Sequence, residues 1–370
     1  MQDSGDDWFH EAKTMHDVYQ NSICTIAALG AANSEEGCFF ERNPLSIIPF
    51  SFLDGEECRW SLCTEYGWRG RTPLHERGWV LQERLLSPRV LSFGSHFMSW
   101  ECLEEETTEM KYERQTRGNW HSSYSGLSQT DRWQLKKKHL EMHRDTDPSK
   151  RTDVQNFYMG WLPIITSYTV MELTKQSDRL ITIDGIIQKI HQHTGLTAVA
   201  GIWRELAIYE ILWVAPDSPQ QRKKEKKSDR APSWSWASID GYIEYPNYDK
   251  RAPAKSGFDF RATVSDIDNR SLTIDGPMFY LGVWLNKEPN RKAYIYWDIV
   301  DPPDNSDAGR VIIILQNAGW VGIPHTYGLV VFPTSTSDAA EWKRVGLLRI
   351  PLLQLKDLDV PYTYQRVRII

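Results

Sequence analysis

Near the start of the chain, Trp8, Ala12, Met15 and Tyr19 recur at intervals of four, three and four, which predicts an amphipathic helix over residues 7–21. The apolar run at 23–29, ICTIAAL, predicts a buried strand, ended by GAANSEEG; a looser region follows to about residue 73. Over 76–102 the spacing predicts a short helix with Trp79, Gln82, Leu85 and Leu86 on one side and Glu83 and Arg84 toward a polar side. Pro88 cannot continue that helix. A hairpin is expected next: Val90, Leu91 and Phe93 form a compact apolar run, Gly94 and Ser95 permit a turn, and Met98, Trp100 and Cys102 alternate with Ser99 and Glu101.

The pattern then becomes polar. Residues 103–152 carry EEETTEMKYER and LKKKHLEMHR, which read as a solvated helix and linker. Residues 154–174 read as helical, and LTAVAGIWRELAIYEILWVAP at 196–216 reads as an amphipathic helix stopping before Pro216. In RAPSWSWASIDG, Trp234 and Trp236 alternate with small residues, which predicts a strand with both indoles on one face. Such a pair can wall a core or bind a sugar or base, and the core role is favoured. Beyond residue 258, apolar stretches at 258–267, 271–285, 293–300, 310–316, 328–333, 344–351 and 365–370 alternate with turn-rich loops, predicting an antiparallel sandwich or barrel. The expected class is α+β, with domains at 1–103, 104–229 and 230–370.

The composition fits globular folding: 370 residues, 41% hydrophobic, are enough for about two domains with sizeable cores. Lys+Arg 43 against Asp+Glu 49 leaves a net charge of -6 and no global field for gathering nucleic acid, so none is expected as a partner. An acidic start without a signal-like order, and no apolar run near the ~20 residues of a membrane span, point to a soluble, cytoplasmic protein. Cys24, Cys38, Cys58, Cys63 and Cys102 include no C-x-x-C pair, so no disulfide framework or metal is expected; Cys58, Cys63 and His75 fit no familiar zinc spacing.

The run R-G-W-x-L-Q-E-R-L-L-S-P-R-x-L-x-F-G from Arg77 to Gly94, followed by Trp100, Glu101 and Cys102, resembles the end of the fungal heterokaryon incompatibility (HET) domain. Gln2, Asp3, Trp8, Glu11, Met15, Val18, Tyr19, Asn21, Thr25, Ile26, Ala27 and Ala28 continue the resemblance, as do S-D-R-L, G-I-W-R-E and the segment RAPSWSWASIDG downstream. In the family an apolar strand and a Y-x-x-L-S-Y-x-W-G type motif precede the first helix. The resemblance therefore implies a truncated domain, an α/β remnant of TIR-like kind, with 23–29 at or near a sheet edge. It further implies a role in non-self recognition and regulated cell death, with protein partners by recognition or self-association. The alternatives are a TIR-like NAD-cleaving enzyme and an inactive interaction module left by truncation.

No G-x-S-x-G, H-E-x-x-H, P-loop or G-x-G-x-x-G pattern occurs, so no catalytic class and no cofactor is expected. The candidate functional surface is Arg77, Glu83, Arg84 and Glu101, since a carboxylate beside a guanidinium can orient a polar ligand and a second carboxylate can act as acid or base. The plainer alternative, which is favoured, is an ion pair tying helix to hairpin.

Overall fold

A computed structural model describes residues 5–42, 50–53, 59–62, 72–109, 136, 139, 151–216, 230–245, 259–287, 294–299, 307–316, 325–334, 341–350 and 360–370. The fold is α+β. One compact unit is drawn from residues 1–144 and 163–189, the other from 145–162 and 190–370.

In the first unit, the helix Gly5–Gln20 leads into β1 (Thr25–Ala27). The strands β2 (Phe50–Leu53) and β3 (Arg59–Leu62) pair antiparallel. The helix Gly78–Leu86 follows, ended by extended Ser87 before Pro88, then β4 (Arg89–Phe93), β5 (Met98–Cys102) and β6 (Glu106–Thr108). The sheet order is β1-β4-β5-β6, with β1 parallel to β4 and the other pairs antiparallel. Among the described residues β1 thus has an open edge, as the resemblance implied. It is not the buried strand that the run 23–29 suggested: Ile23 is 85% and Ile26 66% exposed.

The second unit departs from the pattern at 196–216. In place of one helix, β7 (Ala198–Val199) and β8 (Ile202–Trp203) form a hairpin, followed by a 3-10 turn and a short helix, Ala207–Glu210. Ala200 and Gly201 both take positive φ, 49° and 83°, the backbone hand that a two-residue hairpin turn requires and a helix forbids. The segment around Trp234 and Trp236 is not a strand either. It is a chain of turns with a 3-10 helix at Trp236–Ser238, and both indoles are fully buried.

The remaining strands are β9 (Asp259–Phe260), β10 (Thr263–Ile267), β11 (Leu272–Tyr280), β12 (Tyr294–Trp297), β13 (Arg310–Gln316), β14 (Thr326–Pro333), β15 (Glu341–Ile350) and β16 (Thr363–Ile369). The expected continuation of strand beyond Tyr280 is instead the helix Leu281–Lys287. Pairings β11–β13–β14–β15–β16–β11 return to their start, so five strands close a barrel, and β9, β10 and β12 extend it. All pairs are antiparallel except β15–β16, which meet in parallel at Glu341↔Arg368 and Trp342↔Ile369. Continuous apolar runs such as VIIIL on β13 are buried on both faces, as a strand covered on each side requires. Phe279, Trp284, Val311, Ile313, Val330 and Leu348 belong to one core cluster.

Candidate functional site

The Gly78–Leu86 helix carries three of the four candidate residues, and its start is held by backbone alone. Gly78 N donates to Glu172 O at 2.8 Å and Glu172 N to Glu76 O at 2.5 Å, around extended Arg77. A Cβ on Gly78 would lie 2.6 Å from Leu173 Cδ2, so any larger residue requires that leucine to shift. At the other end, Ser87 Oγ donates to Glu83 O at 2.6 Å and lies 2.7 Å from Thr25 Oγ1, joining the helix terminus to β1. Gln82, fully buried, accepts from Gly185 N at 3.1 Å.

Glu83 and Arg84 do not face open solvent, contrary to the polar side assigned to them; both are half-buried. Arg84 Nε donates to Glu101 Oε2 at 2.7 Å and Nη2 bonds the same oxygen. Glu101 also reaches Lys136, whose Nζ lies 3.1 Å from its Oε1. The side chains of Arg84, Glu101 and Lys136 are 12%, 5% and 0% exposed, so this is a buried charge triad. Burial would raise the Glu101 carboxyl, yet the charges of Arg84 and Lys136 outweigh it and hold the group below the ordinary carboxylate range. Lys136 is lowered by burial, with Glu101 opposing.

The triad also inverts the expected face of β5. Ser99 and Glu101 are the buried residues, while Met98, Trp100 and Cys102 are only half-buried. Sequence reasoning missed Lys136 altogether, since LKKKHLEMHR reads as a solvated face, whereas Lys136 and His139, three apart, are both buried.

Arg77 and Glu83 form a second group, with Tyr19 from the first helix. Burial raises the Glu83 carboxyl, and this outweighs the Tyr19 hydrogen bond and the Arg77 charge that pull it down. The Tyr19 phenol is raised by its own burial and by the Glu83 charge. Nearby on the same two helices, Trp8 and Trp79 pack edge to face at 6.1 Å, and Lys175 sits 6.0 Å from the Trp8 ring centroid. The four candidates thus separate into a structural pair, Arg84 with Glu101, and an acid group, Glu83 with Arg77. Cys58 and Cys63 lie outside the described residues, and no group of three or more His, Cys, Asp and Glu that could hold a metal occurs among the described ones.

The first helix, β1 and the acid group all fall within one comparison. Residues 1–83 match the heterokaryon incompatibility protein (HET) family. The HET segment takes in Tyr19, Arg77 and Glu83, while Arg84, Glu101 and Lys136 lie beyond it. No curated protein and no solved structure matches the chain. Among the described residues no helix is long and apolar enough to cross a membrane.

Proposed function

We propose that this protein acts in heterokaryon incompatibility, as a cytoplasmic component that couples non-self recognition to regulated cell death in a fungal cell. The observation that carries this reading is the HET match over residues 1–83. In this reading Arg84–Glu101–Lys136 is scaffold, and the face that carries exposed Arg77 beside half-buried Glu83 and the half-buried Trp8–Trp79 pair meets a protein partner. The domains are those at 1–103, 104–229 and 230–370. Inducible expression of the full chain in a filamentous fungus tests it: growth arrest with uptake of a vital dye is expected. Normal growth at confirmed protein levels, alone and alongside incompatible strains, would sink it.

One observation favours a second reading, an NAD-cleaving enzyme. A carboxyl raised by burial, beside a phenol and a guanidinium, is suited to acid–base work. Release of nicotinamide from NAD by purified protein, abolished in Glu83→Gln, is the outcome it requires. An intact NAD pool after prolonged incubation removes it and leaves the recognition reading untouched.

A further inference from the structure

Glu210 ends the short helix Ala207–Glu210 in the second unit, and its side chain is wholly excluded from solvent. Among the described residues no Lys, Arg or His forms an ion pair with it. Its neighbours are aromatic groups and one amide. Trp203 N donates to Glu210 Oε2 at 3.3 Å, while Oε1 has no hydrogen-bond partner among the described residues. Trp161 and Trp203 pack at 5.3 Å between ring centroids, and Tyr158 lies 5.6 Å from Tyr209. The titratable groups that face Glu210 are the phenols of Tyr158 and Tyr245, both themselves fully buried. Arg344 acts on Tyr245 but is committed to Asp298 at 2.8 Å and to the carbonyls of Ile211 and Trp213.

The surroundings decide the state of this carboxyl. Tyr158 gives its hydroxyl hydrogen to Leu206 O at 3.1 Å. Among the described residues one amide, Trp203 N, reaches Glu210 Oε2, and the buried Oε1 has no hydrogen-bond partner. An unpaired carboxylate so placed among indoles would carry the large penalty of a buried bare charge. We propose that Glu210 is a neutral carboxylic acid in the folded protein, and that loss of its proton is a built-in trigger that loosens the second unit as pH rises. Burial pushes the Glu210 group well above the ordinary carboxylate range, in agreement.

The sign follows from linkage. In the unfolded chain Glu210 ionises in the ordinary acidic range, while the folded chain keeps its proton, so unfolding above that range releases one proton. The folded-to-unfolded ratio attributable to this residue is full below the ordinary carboxylate range and declines about tenfold per pH unit up to the folded ionisation. If the trigger acts, ionisation strikes at the Trp203 end of the β7–β8 hairpin.

The test is denaturant unfolding of the full chain from pH 5 to pH 9, wild type against Glu210→Gln. Glutamine keeps the shape of the side chain and the acceptor for Trp203 N without titrating. The variant is expected to fold, to equal or exceed wild type at neutral pH, and to lack the part of the pH dependence worth about one proton. Parallel pH profiles for the two proteins would overturn the proposal. Failure of Glu210→Gln to fold would overturn it too, because a neutral mimic should satisfy this site. Infrared spectra give a second readout on folded protein: a protonated-carboxyl stretch at neutral pH that Glu210→Gln removes is expected, and a spectrum unchanged by the substitution contradicts the assignment.

Discussion

The guanidinium of Arg344 lies flat against the indole of Trp213, its central carbon 3.5 Å from the ring centroid, in a site with no solvent contact. Its Nε bonds Asp298 at 2.8 Å, its two terminal nitrogens bond the carbonyls of Ile211 and Trp213, and its own amide donates to Ser233 Oγ at 3.0 Å. One residue on β15 therefore joins three separate stretches of the second unit. Planarity matters here, because stacking and a three-way fork cannot both be met by an ammonium.

Arg344→Ala should cost about 3–5 kcal/mol, since it strands a buried Asp298 and two carbonyls. Arg344→Lys should recover only a small part of this loss. Urea unfolding of the three proteins checks both, and near-equality of lysine and arginine would show that charge alone suffices.

Glu101→Ala leaves Arg84 and Lys136 buried without a counter-charge, again about 3–5 kcal/mol. Because Glu101 is depressed in the fold, its contribution is present above the ordinary carboxylate range and lost as pH falls through the folded value. Acid titration of wild type should show this loss and the variant should not. Identical acid transitions would mean that the triad is not formed.

Trp236 donates Nε1 to Gly201 O at 2.8 Å, and Ser235 Oγ donates to Ala200 O at 2.6 Å, so this loop clasps the β7–β8 turn. Trp236→Ala should destabilise by about 3–5 kcal/mol, and Trp236→Phe by about 1–3 kcal/mol from the orphaned carbonyl plus the lost volume. Thermal melting decides; an unchanged midpoint for Trp236→Ala would remove the core role.

Gly185 sits inside the helix Ile181–Thr194, where alanine ordinarily stabilises by about 1 kcal/mol. Here a Cβ would stand 2.5 Å from His16 Cβ and 2.8 Å from Gln82 Oε1. Gly185→Ala should therefore reverse the usual sign and destabilise by about 1–3 kcal/mol, as overpacking does. Equilibrium unfolding in denaturant would expose an error if the variant proved more stable.

The elements that were legible in the sequence are those specified by short-range chemistry. The helix Gly78–Leu86 follows from apolar spacing and the stop at Pro88, and the β4–β5 hairpin from its alternation. The strands of the barrel follow from apolar runs bounded by turn residues. What was not legible depended on partners far along the chain. Glu101 turns inward only because Arg84 and Lys136 wait there, and a bare alternation does not say which face wins. Trp234 and Trp236 are buried without being in a strand, because the turns from Ser233 to Ala237 are enclosed on every side rather than on one face. The stretch at 196–216 has helical spacing, but Ala200 and Gly201 reverse the backbone before a helix can start. At the candidate site, Arg77, Glu83, Arg84 and Glu101 were found, but their division into two groups needed Tyr19, which helical spacing marks as packing rather than polar chemistry, and Lys136, which no local pattern marks.

The two-residue parallel seam between β15 and β16 has a bearing on how the protein is made. β11 is synthesised before β12 to β15 and β16 after them, yet the β11 edge spanning Leu272–Met278 is covered by β16 alone. A chain still on the ribosome therefore carries Leu272 and Ile274 on a bare strand edge, through the whole time needed to translate β12 to β15. Long-range closure of this sort is slow, and unpaired apolar edges invite association with neighbouring nascent chains. The second unit thus cannot close before β16 has left the ribosome, and its yield in a cell is governed by how quickly that strand finds its place.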